Sequence, residues 1–254
     1  MRDPRSILIT GASSGIGEAL ARDYAAPGIF LALTGRDRAR LDAVAAACRD
    51  KGAEVEAGLI DVADAEAMRT FIETVDARRS LDLVVANAGI SGGSGHLMGE
   101  PEEQARRIMR VNVDGVLNTV IPAAQKMRGR KRGQLAIMSS LASFVGFPGA
   151  PAYCASKAAV RVWGEGLRGD LFASGIEVNV ICPGYVVSRM TETNKFKMPL
   201  LMLADRASAI IRRDLSRNKP RIAFPWRLYF LLRLIAFLPP RWLESLFRRL
   251  PKKE

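Results

Sequence analysis

A tyrosine and a lysine four positions apart, Tyr153 and Lys157, are the residues of this chain whose types and spacing are best suited to chemistry. The run Ala155-Ser-Lys-Ala-Ala-Val160 is small and helix-forming, and it predicts a helix over 152–168. In a helix, residues i and i+4 project from one face, so a phenol and an ammonium would stand side by side. A free phenol titrates near ~10, and a neighbouring cation favours phenolate, moving the group towards the range where it gives or takes a proton at neutral pH. Upstream, Ser139 and Ser140 close the apolar run Gln134-Leu-Ala-Ile-Met138. That run predicts a buried strand of a parallel sheet, and serines at such a strand end face a ligand crevice.

The elements that must hold these groups follow in order. Ile7-Leu-Ile-Thr10 predicts a strand, Gly11-Ala-Ser-Ser-Gly15-Ile-Gly17 a glycine-rich turn, and Glu18–Ala25 a helix. Strand, glycine turn and helix N-terminus are what a dinucleotide pyrophosphate needs, because glycines let the backbone approach and the helix end offers N–H groups. A second strand, 29–34, ends in Gly35-Arg36, where an acid would bind the 2′-hydroxyl of NAD. Gly35 offers none, and the guanidinium of Arg36 suits the 2′-phosphate of NADP instead. Strands at 55–60, closing on Asp61-Val62, and at 81–86, closing on Asn87-Ala88-Gly89, alternate with helices at 40–51 and 65–76. A helix from Glu102 to about Met127 is interrupted by Asn112 and Gly115, and Lys126–Arg132 reads as a basic loop. A sixth strand, 176–181, leads through Cys182-Pro183-Gly184 into a loop reaching Leu203. This alternation predicts an α/β chain with a parallel, doubly wound sheet.

Composition narrows the class. At 48% hydrophobic and 25% charged residues, the 254-residue chain has the balance of a globular protein rather than a disordered one. Its three cysteines, Cys48, Cys154 and Cys182, form no even framework and no C-x-x-C pair, so neither a disulfide scaffold nor a zinc site is indicated. The single histidine, His96, lies in a Gly/Ser-rich loop, which leaves nothing to build a His-based triad or a metal site. The first ten residues lack a signal-peptide pattern, so a cytoplasmic protein is expected.

Taken together, Thr10-Gly-Ala-Ser-Ser-Gly-Ile-Gly17, Asn87-Ala-Gly89, Asn112, Ser140, Tyr153-x-x-x-Lys157 and Pro183-Gly184 resemble the short-chain dehydrogenase/reductase family over roughly residues 6–215. The resemblance implies a single Rossmann-like domain with a seven-stranded parallel sheet and a catalytic tetrad of Asn112, Ser140, Tyr153 and Lys157. Ser140, thirteen residues before Tyr153, matches the family serine. The resemblance carries cofactor binding to Gly11, Ser13, Ser14, Gly15, Ile16 and Gly17 at the pyrophosphate turn. Asp61 and Val62 fall at the adenine, and Asn87, Ala88 and Gly89 after the fourth strand. Tyr153, Lys157, Pro183, Gly184, Val186 and Ser188 fall on the nicotinamide side. Ser188 stands where the family usually has Thr, and Ser14 where many NADP-using members have a base. The implied activity is NADP(H)-dependent interconversion of a carbonyl and a secondary alcohol, with Tyr153 as proton donor, Lys157 lowering its pKa, Ser140 orienting the carbonyl and Asn112 holding a water. The rival is a non-catalytic dinucleotide-binding regulator or scaffold. A homodimer or homotetramer is also implied. Phe144, Val145, Phe147, Tyr185 and the loop 189–203, with Phe196, suggest an apolar pocket for a lipophilic carbonyl compound.

From Asp205 onward there are thirteen bases against four acids, so nine of the twelve net positive charges lie there. The domain is expected to span 1–220 and an apolar, basic C-terminal helical extension 221–254. Trp226 to Leu238 is apolar apart from Arg227 and Arg233, and at 1.5 Å per residue is too short for the ~30 Å hydrocarbon core. Arg241–Leu250 has the pattern of an interfacial helix, with Trp242, Leu243, Leu246, Phe247 and Leu250 on one face. Two readings stand open: attachment to an anionic membrane surface, or an extension that covers the active site or a partner subunit. Nucleic acid is not expected, because the bases are interleaved with large aliphatics.

Overall fold

Seven strands, β1 (Ser6–Thr10), β2 (Phe30–Gly35), β3 (Glu54–Leu59), β4 (Leu83–Ala86), β5 (Gly133–Met138), β6 (Ile176–Pro183) and β7 (Arg221–Phe224), form one sheet in the order β3-β2-β1-β4-β5-β6-β7. Every pairing is parallel. The computed structural model describes residues 3–92, 100–192, 198–239 and 241–243. His96, Phe196 and most of the helix expected at 241–250 lie outside them.

The strands are apolar on both faces because helices cover both. Ile7, Ile9, Leu31 and Leu33 point to one core, packed by α1 (Gly15–Tyr24), α2 (Arg38–Asp50) and α8 (Ala204–Ser216). Their neighbours Leu8, Phe30 and Ala32 point to the other, packed by α3 (Ala65–Arg78), α5 (Gly115–Arg130) and α6 (Pro151–Asp170). This period-two division is why the central strands read as continuous hydrophobic runs in a sheet buried on both sides.

Three details differ from the sequence expectations. The long helix is α4 (Glu102–Met109) joined to α5 by a π-helical turn, Arg110–Asp114, that holds Asn112. α5 continues to Arg130, so most of the expected basic loop is helical, and Arg130 pairs with Asp76 at 2.9 Å. The boundary at residue 220 falls just before β7, so the segment taken as an extension supplies the last strand of the sheet.

After β7 comes α9 (Trp226–Ile235), shorter than the apolar stretch that contains it. Leu232 is buried, and with Leu228, Tyr229 and Ile235 it packs on Leu141 and Phe144. α7 (Arg189–Glu192) is a single turn after β6. Among the described residues, no helix is long and apolar enough to cross a membrane.

Candidate active site

The strand order reverses between β1 and β4, so the loops leaving these two strands diverge and open a crevice at their C-terminal ends. Thr10 and Asn87 latch the two ends together. The Thr10 hydroxyl accepts from the backbone N–H of Asn87 (3.0 Å) and Ala88 (3.1 Å), and Asn87 Nδ2 donates to Thr10 O (2.9 Å) and Gly11 O (3.3 Å). Gly11 has φ +65°, and a Cβ there would meet Ala88 Cα at 2.8 Å. Gly15, at φ +59°, lies against Ser188, whose Cβ would be 2.9 Å from a side chain at that position. A Cβ on Gly17 would strike the Gly11 carbonyl. Ser14 precedes α1 without a side-chain cap, so the first-turn N–H groups are not taken by it. Ile16 packs against the core below. A cleft of about 550 Å³ adjoins this turn, lined by Ser13, Ser14, Gly15, Arg40, Val187 and Ser188 among others. A bare backbone, a free helix N-terminus and flanking hydroxyls fit a dinucleotide pyrophosphate.

On the adenosine side, Gly35 ends β2 against the Ser13 hydroxyl, with 3.2 Å between that oxygen and a Cβ built there. Arg36 forms a part-exposed ion pair with Asp61 at 3.5 Å. Val62 is buried, and its carbonyl accepts from Asn118 Nδ2 at 2.9 Å. Arg40, which sequence reasoning left inside a helix without a role, lines the cleft. One of its terminal nitrogens pairs with Asp37 at 2.9 Å, while its Nε is buried and makes no hydrogen bond.

The four residues of the implied tetrad converge. Asn112 is fully buried in the π turn. Its Oδ1 accepts from Ile90 N–H (2.8 Å), and its Nδ2 donates to Ile90 O (2.9 Å) and Ser156 Oγ (3.0 Å). It therefore fastens the segment after β4 to α6. A Cβ on Gly89 would lie 3.1 Å from Asn112 Oδ1 and 3.2 Å from Lys157 Nζ, which puts all three at one spot. The two serines separate by role. Ser139 donates back to Lys157 O at 2.8 Å, whereas Ser140 donates to Pro183 O at 3.4 Å and stands near enough to the Tyr153 phenol to favour its ionised form. Ser140 also starts a short 3-10 turn, Leu141–Ser143, by accepting from Ala142 N–H at 3.1 Å.

Tyr153 and Lys157 do share a face of α6, with Nζ 5.9 Å from the ring centroid. Lys157 is buried and donates to Met138 O at 3.0 Å. The electrostatics correct the expectation that the lysine brings the phenol down. Desolvation of the Tyr153 hydroxyl raises its pKa, and the hydrogen bond from Ser140 only partly opposes that. Burial lowers Lys157 to about 8. In both groups desolvation, which disfavours the charged form, is the largest cause.

The short chain dehydrogenase family model matches residues 5–198. The chain belongs to the short-chain dehydrogenase family. It is 39% identical over 247 residues to an uncharacterized oxidoreductase of Myxococcus xanthus, covering 97% of each. Among solved structures, a Sphingobium yanoikuyae short-chain dehydrogenase in complex with NADPH superposes with TM-score 0.80 at 26% identity, covering 92% of this chain and 96% of that one. A Burkholderia phymatum short-chain dehydrogenase/reductase in complex with NAD superposes with TM-score 0.83 at 23% identity, covering 100% and 98%. As a member of this family the chain is an oxidoreductase dependent on a nicotinamide dinucleotide.

After β6 the chain runs beside the glycine turn, where Ser188 meets Gly15. Gly184 N–H donates to Phe224 O at 2.7 Å, and Val186 pairs with Met202 in an isolated bridge. Pro183 O lies 3.4 Å from Ser140 Oγ. Phe144, expected to line an open pocket, instead packs edge-on against Tyr229 of α9 at 5.3 Å, with the Arg161 guanidinium 4.6 Å over its ring. Phe147 joins the same cluster. α9 thus fills the space those aromatics were expected to leave for a ligand. Thr10 is the other residue without an assigned role; a hydroxyl closing the first strand just before the glycine turn is the signal that could have found it.

Proposed function

We propose that this dehydrogenase is an NADP(H)-dependent carbonyl reductase acting on a lipophilic ketone or aldehyde. The observation that carries the reading is the Tyr153 phenol, held towards its neutral form by desolvation and placed 5.9 Å, ring centroid to Nζ, from the buried Lys157 on the same face of α6. A neutral phenol is the form that gives a proton, as reduction of a carbonyl requires. A nicotinamide held in this crevice would supply the hydride. The Tyr153 hydroxyl gives its proton to the carbonyl oxygen as charge develops there, and the Ser140 hydroxyl orients that oxygen. Lys157, cationic below about 8, favours the phenolate left behind. Asn112 keeps the Gly89 backbone and Lys157 in register. Gly11, Ser13, Ser14, Gly15, Ile16 and Gly17 would hold the pyrophosphate, and Asp61, Val62, Asn87, Ala88 and Gly89 the adenosine and its flank. Pro183, Gly184, Val186 and Ser188 would close over the nicotinamide.

NADP is favoured over NAD because the residue directly after β2 is Arg36 rather than an acid, with Arg40 in the first turn of α2 beyond it. The NADPH complex of the Sphingobium relative supports this choice. A lipophilic substrate is supported by the exposed Leu200, Leu201 and Leu203 beside the Val186–Met202 bridge. Exposed Ile121 on α5 and Val162 on α6 support a homodimer or homotetramer. The basic, apolar segment after β7 supports peripheral attachment to an anionic membrane.

The test is oxidation of NADPH and NADH by the full chain with ketones of increasing alkyl length, followed by the absorbance of the reduced nicotinamide. Faster turnover with NADPH and with longer chains is expected. Faster turnover with NADH, or a preference for small polar ketones, would overturn the corresponding half of the reading.

A further inference from the structure

α9 is apolar on two faces, and the fold uses only one. Leu228, Tyr229, Leu232 and Ile235 turn inward onto Leu141 and Phe144. Outward, Trp226, Phe230 and Leu234 recur at every fourth position and are 68%, 60% and 52% exposed, with Phe237 at 78% just beyond the helix. Leu231 is half exposed beside them. An outward row of this kind costs solvation unless something covers it, which is the mark of an interaction surface.

Charge selects the occupant. Between Asp214 and Glu244 there is no acidic residue, while six bases, Arg217, Lys219, Arg221, Arg227, Arg233 and Arg241, lie in that interval. Arg227 and Arg233 are exposed on α9 itself. A contact between two copies through this face would bring Arg227 and Arg233 of each together, with no acid in the segment to offset them. An anionic lipid surface meets both needs, taking up the aromatic row and attracting the arginines, with Trp226 and Trp242 suited to the headgroup level.

The helix is also tied to the catalytic side. Arg221 Nε donates to Glu165 of α6 at 2.9 Å, and Arg221 donates to the Tyr229 hydroxyl at 3.1 Å. Arg161, one turn beyond Lys157, bonds the same glutamate at 3.2 Å. The inner face of α9 rests on Leu141, the residue after Ser140. We propose that the outward face of α9 docks on an anionic lipid bilayer and sets the crevice beside the membrane. The proposal rests on the lipophilic-carbonyl reading, to which it adds the source of the substrate.

The test is flotation of the full chain with vesicles of phosphatidylcholine alone and with added phosphatidylglycerol. The variants are W226S/F230S/L234S, which changes only exposed side chains, and Arg227→Gln. NADPH binding, followed by fluorescence, is measured on each. Flotation with the anionic vesicles is expected, reduced at least tenfold by the triple variant and roughly fivefold by Arg227→Gln, with NADPH affinity unchanged. If the unmodified chain stays in the soluble fraction with both vesicles while binding NADPH, the docking proposal falls and the reductase reading stands. If the triple variant floats as well as the parent, or light scattering finds that it has lost a dimer the parent forms, the face serves another purpose and the proposal is wrong. Flotation without NADPH binding would support the docking and overturn the NADP preference.

Discussion

Tyr153 and Lys157 lie on successive turns of one face of α6, 5.9 Å apart from ring centroid to Nζ, and burial moves their pKa values in opposite directions, the phenol up and the ammonium down to about 8. Each is pushed towards its neutral form. The phenol therefore stays protonated across the neutral range, while the lysine changes charge close to it.

This sets the pH dependence of reduction. Lys157 is cationic below about 8 and loses its charge as pH rises through that value, whereas Tyr153 keeps its proton well beyond it. The rate of carbonyl reduction should be level from about pH 6 to 7 and fall on the alkaline side with a midpoint near 8. Lys157→Met should abolish that limb along with most of the activity. An unchanged alkaline limb in this variant would assign the titration to another group.

The proposed NADP preference rests on the guanidiniums of Arg36 and Arg40. Charge-assisted hydrogen bonds contribute about 1.5–3 kcal/mol each, so Arg36→Gln should weaken NADPH binding by roughly ten- to a hundredfold and leave NADH binding nearly as it was. Arg40→Gln should act in the same direction by a smaller factor. Calorimetric titration with the two cofactors checks this, and an equal loss for both would point to a fold defect.

Asn112→Ala removes an amide that serves Ile90 N–H, Ile90 O and Ser156 Oγ in a fully buried site. Orphaning such groups costs about 1–3 kcal/mol each, so the variant should melt clearly below the parent and lose activity through displacement of Lys157. A melting temperature equal to the parent's would mean that water replaces the amide.

Leu232→Ala tests whether α9 belongs to the folded domain. The side chain is 6% exposed, and truncating a buried leucine costs about 2–5 kcal/mol. Thermal denaturation should register a loss in that range. Turnover should fall as well, because Leu141 and the Ser140 turn lose their support.

The sheet was legible because its strands are apolar runs separated by helical periods, a pattern that survives without tertiary information. The glycine turn was expected from its place between a strand and a helix, Tyr153 and Lys157 from their helical spacing, and Ser140 from the family resemblance. What was not legible depended on solvation and on distant contacts. Lys157 was expected to lower the phenol, but only the folded environment reveals that both groups are desolvated. Phe144 and Phe147 looked like pocket walls because nothing local records that α9, some eighty residues later, covers them. β7 was assigned to an extension because Arg221-Ile-Ala-Phe224 is too short to stand out from the apolar stretch that follows. Arg40 was missed because an arginine within a helix reads as solvated surface.

The most direct test of the central claim is Tyr153→Phe, measured for both NADPH binding and turnover with an accepted ketone. The proton donor is removed while the ring that fills its place remains, so turnover should drop by ~10²–10⁴ with NADPH affinity within about twofold of the parent. Turnover equal to the parent's would contradict the account.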